Sequence, residues 1–362
     1  MFDELLKYKS TLRCLTLVLV ASSCSAGVVE EHPPKVSAVV SEPLVDKSLG
    51  VSAKKPAPEP KAAPPTEPLH PKPLVVAVIS DMNSSYGSTS YTPEVQASVK
   101  WLCEVLRPDL VIGTGDMVAG MKEGLDYKAM WTSFHAEVTD RLNECGLTFA
   151  PSPGNHDAAR APRFLPERTE YVEQWVDRRP DVNFVSDEMW PLRYAFRARP
   201  NGVEHPALFI SLDLTTPRKL PNREIIWLDK TLAKAAGPVV VFGHVPLVPV
   251  ARGRENEASN DARLTEVLSR RQIDVFLHGH HHAFYPHITE GVPTISMPNL
   301  GTGARSWIGS TEIGGNGLVV LTISENDLQW QAYRVPNFEP WLLDSLPEAL
   351  PVEGHKVRLW KP

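Results

Sequence analysis

Residues 74–83 read LVVAVISDMN, an apolar run that ends in two polar residues, Asp81 and Asn83. A short, continuous apolar run of this kind predicts a buried strand. The two polar residues follow at the point where the strand passes into a loop. Since ligands of open α/β sheets collect at such strand ends, this stretch predicts an α/β fold with a polar site beside its first strand.

Four later apolar runs end in the same way. They read DLVIGTG, LTFAPSP, VVVFG and VFLHG, and the polar segments that complete them are Gly115-Asp116, Gly154-Asn155-His156-Asp157, Gly243-His244 and Gly279-His280-His281-His282. Carboxylate oxygens, amide oxygens and imidazole nitrogens that converge from five loops suit a pair of divalent cations bridged by one carboxylate. The pattern predicts a dinuclear metal hydrolase.

Helical and strand patterns alternate between these runs. Helices are expected from Thr92-Pro93 through Leu106, near Tyr127 to Glu144, near Glu167 to Arg178, after a cap at Asn222, and near Ala262 to Arg271. Further strands are expected at RYAFRA, ALFISLDL, VPTISM, GLVVLTIS and LQWQAYRV. This order predicts two sheets packed face to face with helices outside, forming one domain over residues 74–335, with a C-terminal tail at 336–362.

The first 24 residues have the order of a secretory signal peptide, in which basic residues precede an apolar run and small residues follow it. The run Cys14 to Ala21 is shorter than the ~20 residues that span a bilayer, and a buried helix is the alternative. Ala21-Ser22-Ser23-Cys24 resembles a bacterial lipoprotein signal, whereas ordinary cleavage near Ala26 also fits. We expect an exported protein of the cell envelope or periplasm, anchored to the membrane by lipid on Cys24.

Residues 25–73 are rich in Pro, Ala, Lys and Glu and have no hydrophobic period. This composition predicts a disordered, semi-rigid tether. A tail without function is the alternative.

Charge and cysteine usage limit the partners. The formal net charge is −6, and the absence of a Lys/Arg cluster disfavours nucleic acid. No protein partner is predicted. Outside the N-terminal segment only Cys103 and Cys145 remain, and both a disulfide and two free thiols fit the sequence.

The ordered set Asp-x-Asn, Gly-Asp, Gly-Asn-His-Asp, Gly-His and Gly-His-x-His, between Val76 and His282, resembles the calcineurin-like metallophosphoesterase superfamily. The resemblance implies a four-layer αββα sandwich of two mixed β-sheets flanked by helices. It also implies hydrolysis of a small phosphorylated substrate, a phosphomonoester or phosphodiester, by metal-activated water.

The same resemblance implies a role for each motif residue. One cation would be held by Asp81, Asn83, Asp116 and His282, and the other by Asp116, Asn155, His244 and His280. His156 would hydrogen-bond the phosphate or protonate the leaving oxygen, with a structural role in its loop as the alternative. Asp157 would orient His156 or cap the loop.

Asn83 departs from the family pattern, which has His at this position. An amide oxygen is a harder ligand than imidazole, so we expect a shift toward Mn²⁺ or Mg²⁺ and away from Zn²⁺ among the candidate ions Mn²⁺, Fe²⁺, Zn²⁺ and Mg²⁺. The alternative function is a catalytically weak or inactive metal-binding envelope lipoprotein.

Arginines in the loops after the motifs are candidates for contact with a second charged group of the substrate, with solvated surface positions as the alternative. They are Arg160, Arg163, Arg252, Arg254 and Arg305.

Overall fold

The computed structural model describes residues 72–198 and 204–361. The predicted signal peptide and nearly all of the predicted tether lie outside these residues. None of the helices in the two described ranges is long and apolar enough to cross a membrane.

The described residues form 15 strands. In chain order they are β1 Leu74–Ile79, β2 Leu110–Gly113, β3 Phe149–Pro151, β4 Asn183–Met189, β5 Arg193–Ala198, β6 Ala207–Ser211, β7 Val239–Phe242, β8 Val275–His278, β9 Tyr285–Thr289, β10 Val292–Ser296, β11 Gly317–Ile323, β12 Leu328–Arg334, β13 Glu339–Pro340, β14 Ala349–Leu350 and β15 Val357–Leu359. All five apolar runs that precede the motifs are strands, as predicted.

Each of the predicted helices is present, and one short helix, over Asn155–Ala158, is additional. The helices of the described residues are α1 Pro93–Trp101, α2 Tyr127–Phe134, α3 Asp140–Glu144, α4 Asn155–Ala158, α5 Leu165–Trp175, α6 Asn222–Leu232 and α7 Ala262–Arg270. A π-helical turn over Leu102–Leu106 continues α1, another over His135–Thr139 joins α2 to α3, and 3₁₀ turns cover Pro162–Phe164 and Leu343–Ser345. The Thr92 hydroxyl caps α1, with Pro93 at the first helical position.

The strands build two mixed sheets flanked by helices, as predicted. The six-stranded sheet has the order β13-β12-β11-β1-β2-β3, and the nine-stranded sheet has the order β14-β15-β9-β10-β8-β7-β6-β5-β4. Every residue of the inner strands β2, β6, β7 and β8 is buried. Since successive side chains of a strand point to opposite faces, both faces of each sheet are covered at these strands.

Parallel pairing brings the predicted motifs to common edges. In the six-stranded sheet β1, β2 and β3 run parallel, and in the nine-stranded sheet β6, β7 and β8 run parallel. The loops that follow these strands therefore leave each sheet on the same side.

The segment after Val335 continues both sheets. β13 pairs with β12, and β15 pairs with β9 and β14. Trp341 is fully buried and its ring lies 4.7 Å from that of Phe284. The fold thus extends beyond the boundary at residue 335 that the sequence suggests.

Two local features bear on the sequence prediction, since the first corrects it and the second decides an open alternative. Pro221 is the residue before α6, and Asn222 is the first helical residue, so the predicted cap at Asn222 is wrong by one position. The Asn222 side chain instead accepts a hydrogen bond from Arg263. Cys103 and Cys145 form a disulfide, which decides between the two alternatives left open by the sequence.

Candidate metal centre

The strand ends bring the predicted ligands together. Asp81 and Asp116 follow β1 and β2, and His244 and His280 follow β7 and β8. Hydrogen bonds join the loops within and between the sheets. Asp81 N donates to Gly115 O at 3.0 Å between the loops after β1 and β2, and His280 N, after β8, donates to Asp81 Oδ1 at 3.0 Å. The two sheets therefore supply one continuous site.

The ligand atoms form two groups that share one carboxylate. The first group is Asp81, Asp116 and His282, and the second group is Asp116, His244 and His280. Within each group the ligand atoms lie within 4.8 Å of one another. Asp116 thus stands between the two groups, in the division that the family resemblance implies.

Short contacts define the geometry inside the groups. His282 Nε2 lies 3.1 Å from Asp81 Oδ1, and His244 Nε2 lies 3.3 Å from Asp116 Oδ2. The Asn155 amide oxygen lies 2.9 Å from His244 Nε2, which adds it to the second group. This mixture of carboxylate, amide and imidazole donors fits Mn²⁺, Fe²⁺ or Zn²⁺, and its oxygen atoms also fit Mg²⁺.

Backbone carbonyls set the tautomer of two imidazoles. His244 Nδ1 lies 2.9 Å from Thr114 O, and His282 Nδ1 lies 3.1 Å from Thr302 O. Since a carbonyl only accepts hydrogen bonds, each Nδ1 carries the proton and donates it. In the neutral rings the lone pair is then on Nε2, the nitrogen that faces the carboxylates and is available to a metal.

Four predicted ligands have a left-handed backbone. The φ angles are +48° for Asp81, +54° for Asp116, +69° for His280 and +50° for His282. Residues other than glycine adopt this region only occasionally, because the conformation costs free energy. Residues held in such conformations cluster at functional sites. The turns after the strands are therefore held in shape by the surrounding structure.

Two motif glycines lie so close to the carboxylates of the site that no side chain fits at their positions. A Cβ at Gly154 would lie 2.2 Å from Asp116 Oδ1, and a Cβ at Gly279 would lie 2.4 Å from Asp81 Oδ2. Any larger residue at either position would displace a carboxylate of the site.

The two asparagines are oriented by their amide nitrogens. Asn83 Nδ2 donates to Val118 O at 3.3 Å, and Asn155 Nδ2 donates to Met121 Sδ at 3.0 Å. Each amide oxygen is then the atom left for a cation. The assignment of Asn83 as a ligand stays a prediction.

His156 and Asp157 have different roles. His156 lines the pocket, and its Nδ1 donates to Gly120 O at 2.9 Å, so Nε2 is its free ring atom. Asp157 is fully buried, and its carboxylate accepts N–H groups of Met117, Val118 and Gly154 at 2.8 to 3.0 Å. Of the two roles left open for Asp157, these contacts favour capping of the loop.

Mutual attraction keeps the core of the site charged. Burial opposes ionisation of Asp116, but His244 outweighs it and lowers the pKa of this carboxyl. Burial likewise opposes ionisation of Asp81, whose pKa His282 lowers. Burial acts to lower the pKa of His244, yet Asp116 raises it to about 9. A cation held by His244 would therefore displace a proton from this ring at neutral pH.

The site opens into a cavity of about 580 Å³. Six of the predicted residues line it, namely Asn83, Asp116, Asn155, His156, His280 and His282. Tyr86 adds an exposed ring whose centre lies 5.4 Å from that of His156. Of the five candidate arginines, Arg254 and Arg305 line this cavity, whereas Arg160 pairs with Asp213 at 2.7 Å.

Sequence patterns missed three residues at the site. Glu257 Oε2 lies 3.1 Å from His280 Nε2, and His280 lowers the pKa of this glutamate to about 2. Met121 holds the amide of Asn155. Glu167 is fully buried on α5 and accepts the Met121 N–H at 2.7 Å. No local motif marks these three residues.

The comparison with known sequences agrees with this geometry. A family model for calcineurin-like phosphoesterase matches residues 74–284. A probable cyclic nucleotide phosphodiesterase of Psychrobacter sp. (strain PRwf-1) is 26% identical over 211 residues, which cover 55% of this chain and 54% of that protein. The chain thus spans about half the length of this relative.

The fold is also that of a solved structure. Purple acid phosphatase PPD1 from yellow lupin (Lupinus luteus) seeds aligns with a TM-score of 0.59 at 12% identity. The alignment covers 76% of this chain and 54% of the lupin protein's chain. At this identity the likeness is one of fold alone.

Proposed function

Because the chain belongs to the calcineurin-like phosphoesterase family, we propose that it hydrolyses small phosphate esters with the help of two divalent cations. The observation that carries the proposal is the sharing of Asp116 between two groups of potential ligands. A carboxylate between two cation sites is what a dinuclear hydrolase requires.

The first cation would be held by Asp81, Asn83, Asp116 and His282, and the second by Asp116, Asn155, His244 and His280. When bound, the two cations would supply an activated water and would stabilise negative charge on the phosphate oxygens. The chain itself supplies the ligands, their fixed orientation and a pocket that admits substrate.

His156 is the proposed proton donor to the leaving oxygen. Its backbone N–H donates to Asp116 Oδ1 at 2.9 Å, which fixes the residue beside the shared carboxylate. Its Nδ1 donates to Gly120 O, so the proton passed to the leaving oxygen would be the one that Nε2 carries when the ring is doubly protonated. General acid assistance by a positioned imidazole typically contributes about 10²- to 10⁴-fold in rate.

A phosphodiester is the favoured substrate. The relative from Psychrobacter is named a probable cyclic nucleotide phosphodiesterase. The cavity of about 580 Å³ falls in the range of roughly 300 to 1,000 Å³ typical of small-molecule sites. The exposed ring of Tyr86 at its rim offers a surface on which a base or another planar group can stack.

The test is an assay of the metal-free protein reconstituted with Mn²⁺, Fe²⁺, Zn²⁺ or Mg²⁺, with 4-nitrophenyl phosphate as monoester and bis(4-nitrophenyl) phosphate as diester. We expect turnover of the diester, and its loss in Asp116→Asn and His244→Ala. Circular dichroism of both variants controls for folding. Two bound ions without turnover by any metal would support the alternative of an inactive scaffold, for which Asn83 is the structural reason.

We also propose that the protein is exported and anchored by lipid on Cys24. The Cys103–Cys145 disulfide supports export, since stable disulfides are typical of oxidising compartments. Mass analysis of the mature N-terminus tests both parts. A chain that retains Met1 would contradict export, and an unmodified N-terminus near Ala26 would contradict lipidation.

A further inference from the structure

We propose that Arg305, with Arg254 beside it, forms a subsite for a second anionic group of the substrate, a carboxylate or a phosphate outside the reacting phosphoryl group. The proposal rests on the phosphoesterase function and specifies its substrate class. It assigns these two arginines of the pocket lining a role that the metal ligands do not have.

Arg305 is fixed next to the candidate metal centre. It follows β10 in the loop that also supplies Thr302 and Gly303 to the pocket lining. Its backbone N–H donates to His282 O at 3.0 Å. The half-buried side chain of Arg305 therefore extends from a backbone position that is hydrogen-bonded to a predicted ligand.

The two arginines differ in their partners. Arg254 forms an ion pair with Glu257, which in turn approaches His280. Among the carboxylates that the structure describes, none forms an ion pair with Arg305, and its Nη1 is buried without a hydrogen-bond partner there. A buried guanidinium donor without a partner is unfavourable, so this position favours an anion.

Charge balance indicates that this anion is an additional group. Two divalent cations would exceed the charges of Asp81 and Asp116 by two, which is enough to receive a phosphodiester group. Glu257 neutralises Arg254. Among the acidic and basic side chains that line the pocket, the charge of Arg305 is then left without a counter-charge. A second anionic group of the substrate would supply it.

The experiment compares three aryl diesters that share one leaving group. They are 4-nitrophenyl methyl phosphate, 4-nitrophenyl 2-carboxyethyl phosphate and 4-nitrophenyl 2-phosphonoethyl phosphate. We expect kcat/KM of the metal-loaded protein to be at least about tenfold higher for one or both of the latter two, mainly through KM, because a charge-assisted hydrogen bond is worth that factor or more. Arg305→Gln should bring the ratio close to one. Arg252→Gln, at an exposed arginine outside the pocket, should keep the wild-type ratio.

A binding measurement separates this proposal from the catalytic one. Calorimetric titration with methylphosphonate and with 3-phosphonopropanoate, which differ by a carboxylate, requires no turnover. Tighter binding of 3-phosphonopropanoate that depends on Arg305 would support the subsite even in an inactive protein. Equal or undetectable binding of the two, or equal kcat/KM for the three diesters, would overturn the subsite while leaving the phosphoesterase proposal in place.

Discussion

Replacement of Glu167 by Gln should make the protein less sensitive to rising pH. Glu167 is fully buried; one carboxyl oxygen accepts the Met121 N–H, and the other is without a hydrogen-bond partner among the described residues. Burial raises the pKa of this carboxyl from 4.5 to about 8, and the charges of Asp157 and Asp116 add to the effect. The side chain is therefore protonated in the folded protein at neutral pH.

The sign of the effect follows from proton binding. Between pH 4.5 and about 8 the folded state retains a proton that the unfolded state has lost. Raising the pH through this window therefore favours unfolding, by up to about 1.4 kcal/mol per pH unit for one group. Above pH 8 both states are ionised and the contribution stays constant. Glutamine keeps an oxygen for the Met121 N–H and has no proton to lose.

The measurement is urea unfolding of the metal-free wild type and Glu167→Gln at pH 5, 6, 7, 8 and 9. In the difference between the unfolding free energies of variant and wild type, the contributions of the ionisable groups that both proteins share cancel. We expect it to shift in favour of the variant by at least about 0.5 kcal/mol per pH unit between pH 5 and 8. Glu173→Gln, at an exposed position on α5, is the control. A constant difference across this range would refute the raised pKa of Glu167.

Three further predictions concern the metal sites and the disulfide. Asn83→His should raise Zn²⁺ affinity at the first site, because imidazole is a softer ligand than an amide oxygen; unchanged zinc content on titration would contradict this. Met121→Leu removes the sulfur that orients Asn155. We expect cation binding to weaken about tenfold, as is typical when a residue that orients a metal ligand is lost. Metal titration of the variant and the wild type measures this. Replacement of both Cys103 and Cys145 by Ser removes a disulfide between residues 42 positions apart in the sequence. We expect this to lower the free energy of unfolding by about 4 kcal/mol. Equal denaturation midpoints of the two proteins would contradict this.

The position of the candidate metal centre was predictable because its signal is local. Each predicted ligand follows an apolar run that forms a strand, and parallel pairing brings the ends of such strands to one edge. Helix α1 was predictable for the same reason, since Thr92 and Pro93 mark its start within two residues. A local pattern thus fixed both the elements and the candidate ligands.

The missed features depend on contacts between distant residues. Strand β4 lies at the edge of the nine-stranded sheet and is only partly buried, so its sequence NFVSDEM has no clear hydrophobic period. Strand β9 contains Pro286, which weakens the strand signal. Glu257 approaches His280 only because the loop after β7 folds over the end of β8. The disulfide likewise depends on how the helices pack.

The pairing of β1 has a consequence for the order of folding. This strand is hydrogen-bonded on one side to β2 and on the other to β11, where Leu74 lies opposite Ile323. A ribosome adds roughly 5 to 20 residues per second, so β1 waits about 10 to 50 seconds after its synthesis before its second neighbour exists. During that time an apolar strand that carries Asp81 at its end has one open edge. Chaperone binding to the nascent chain should therefore persist until β11 has emerged.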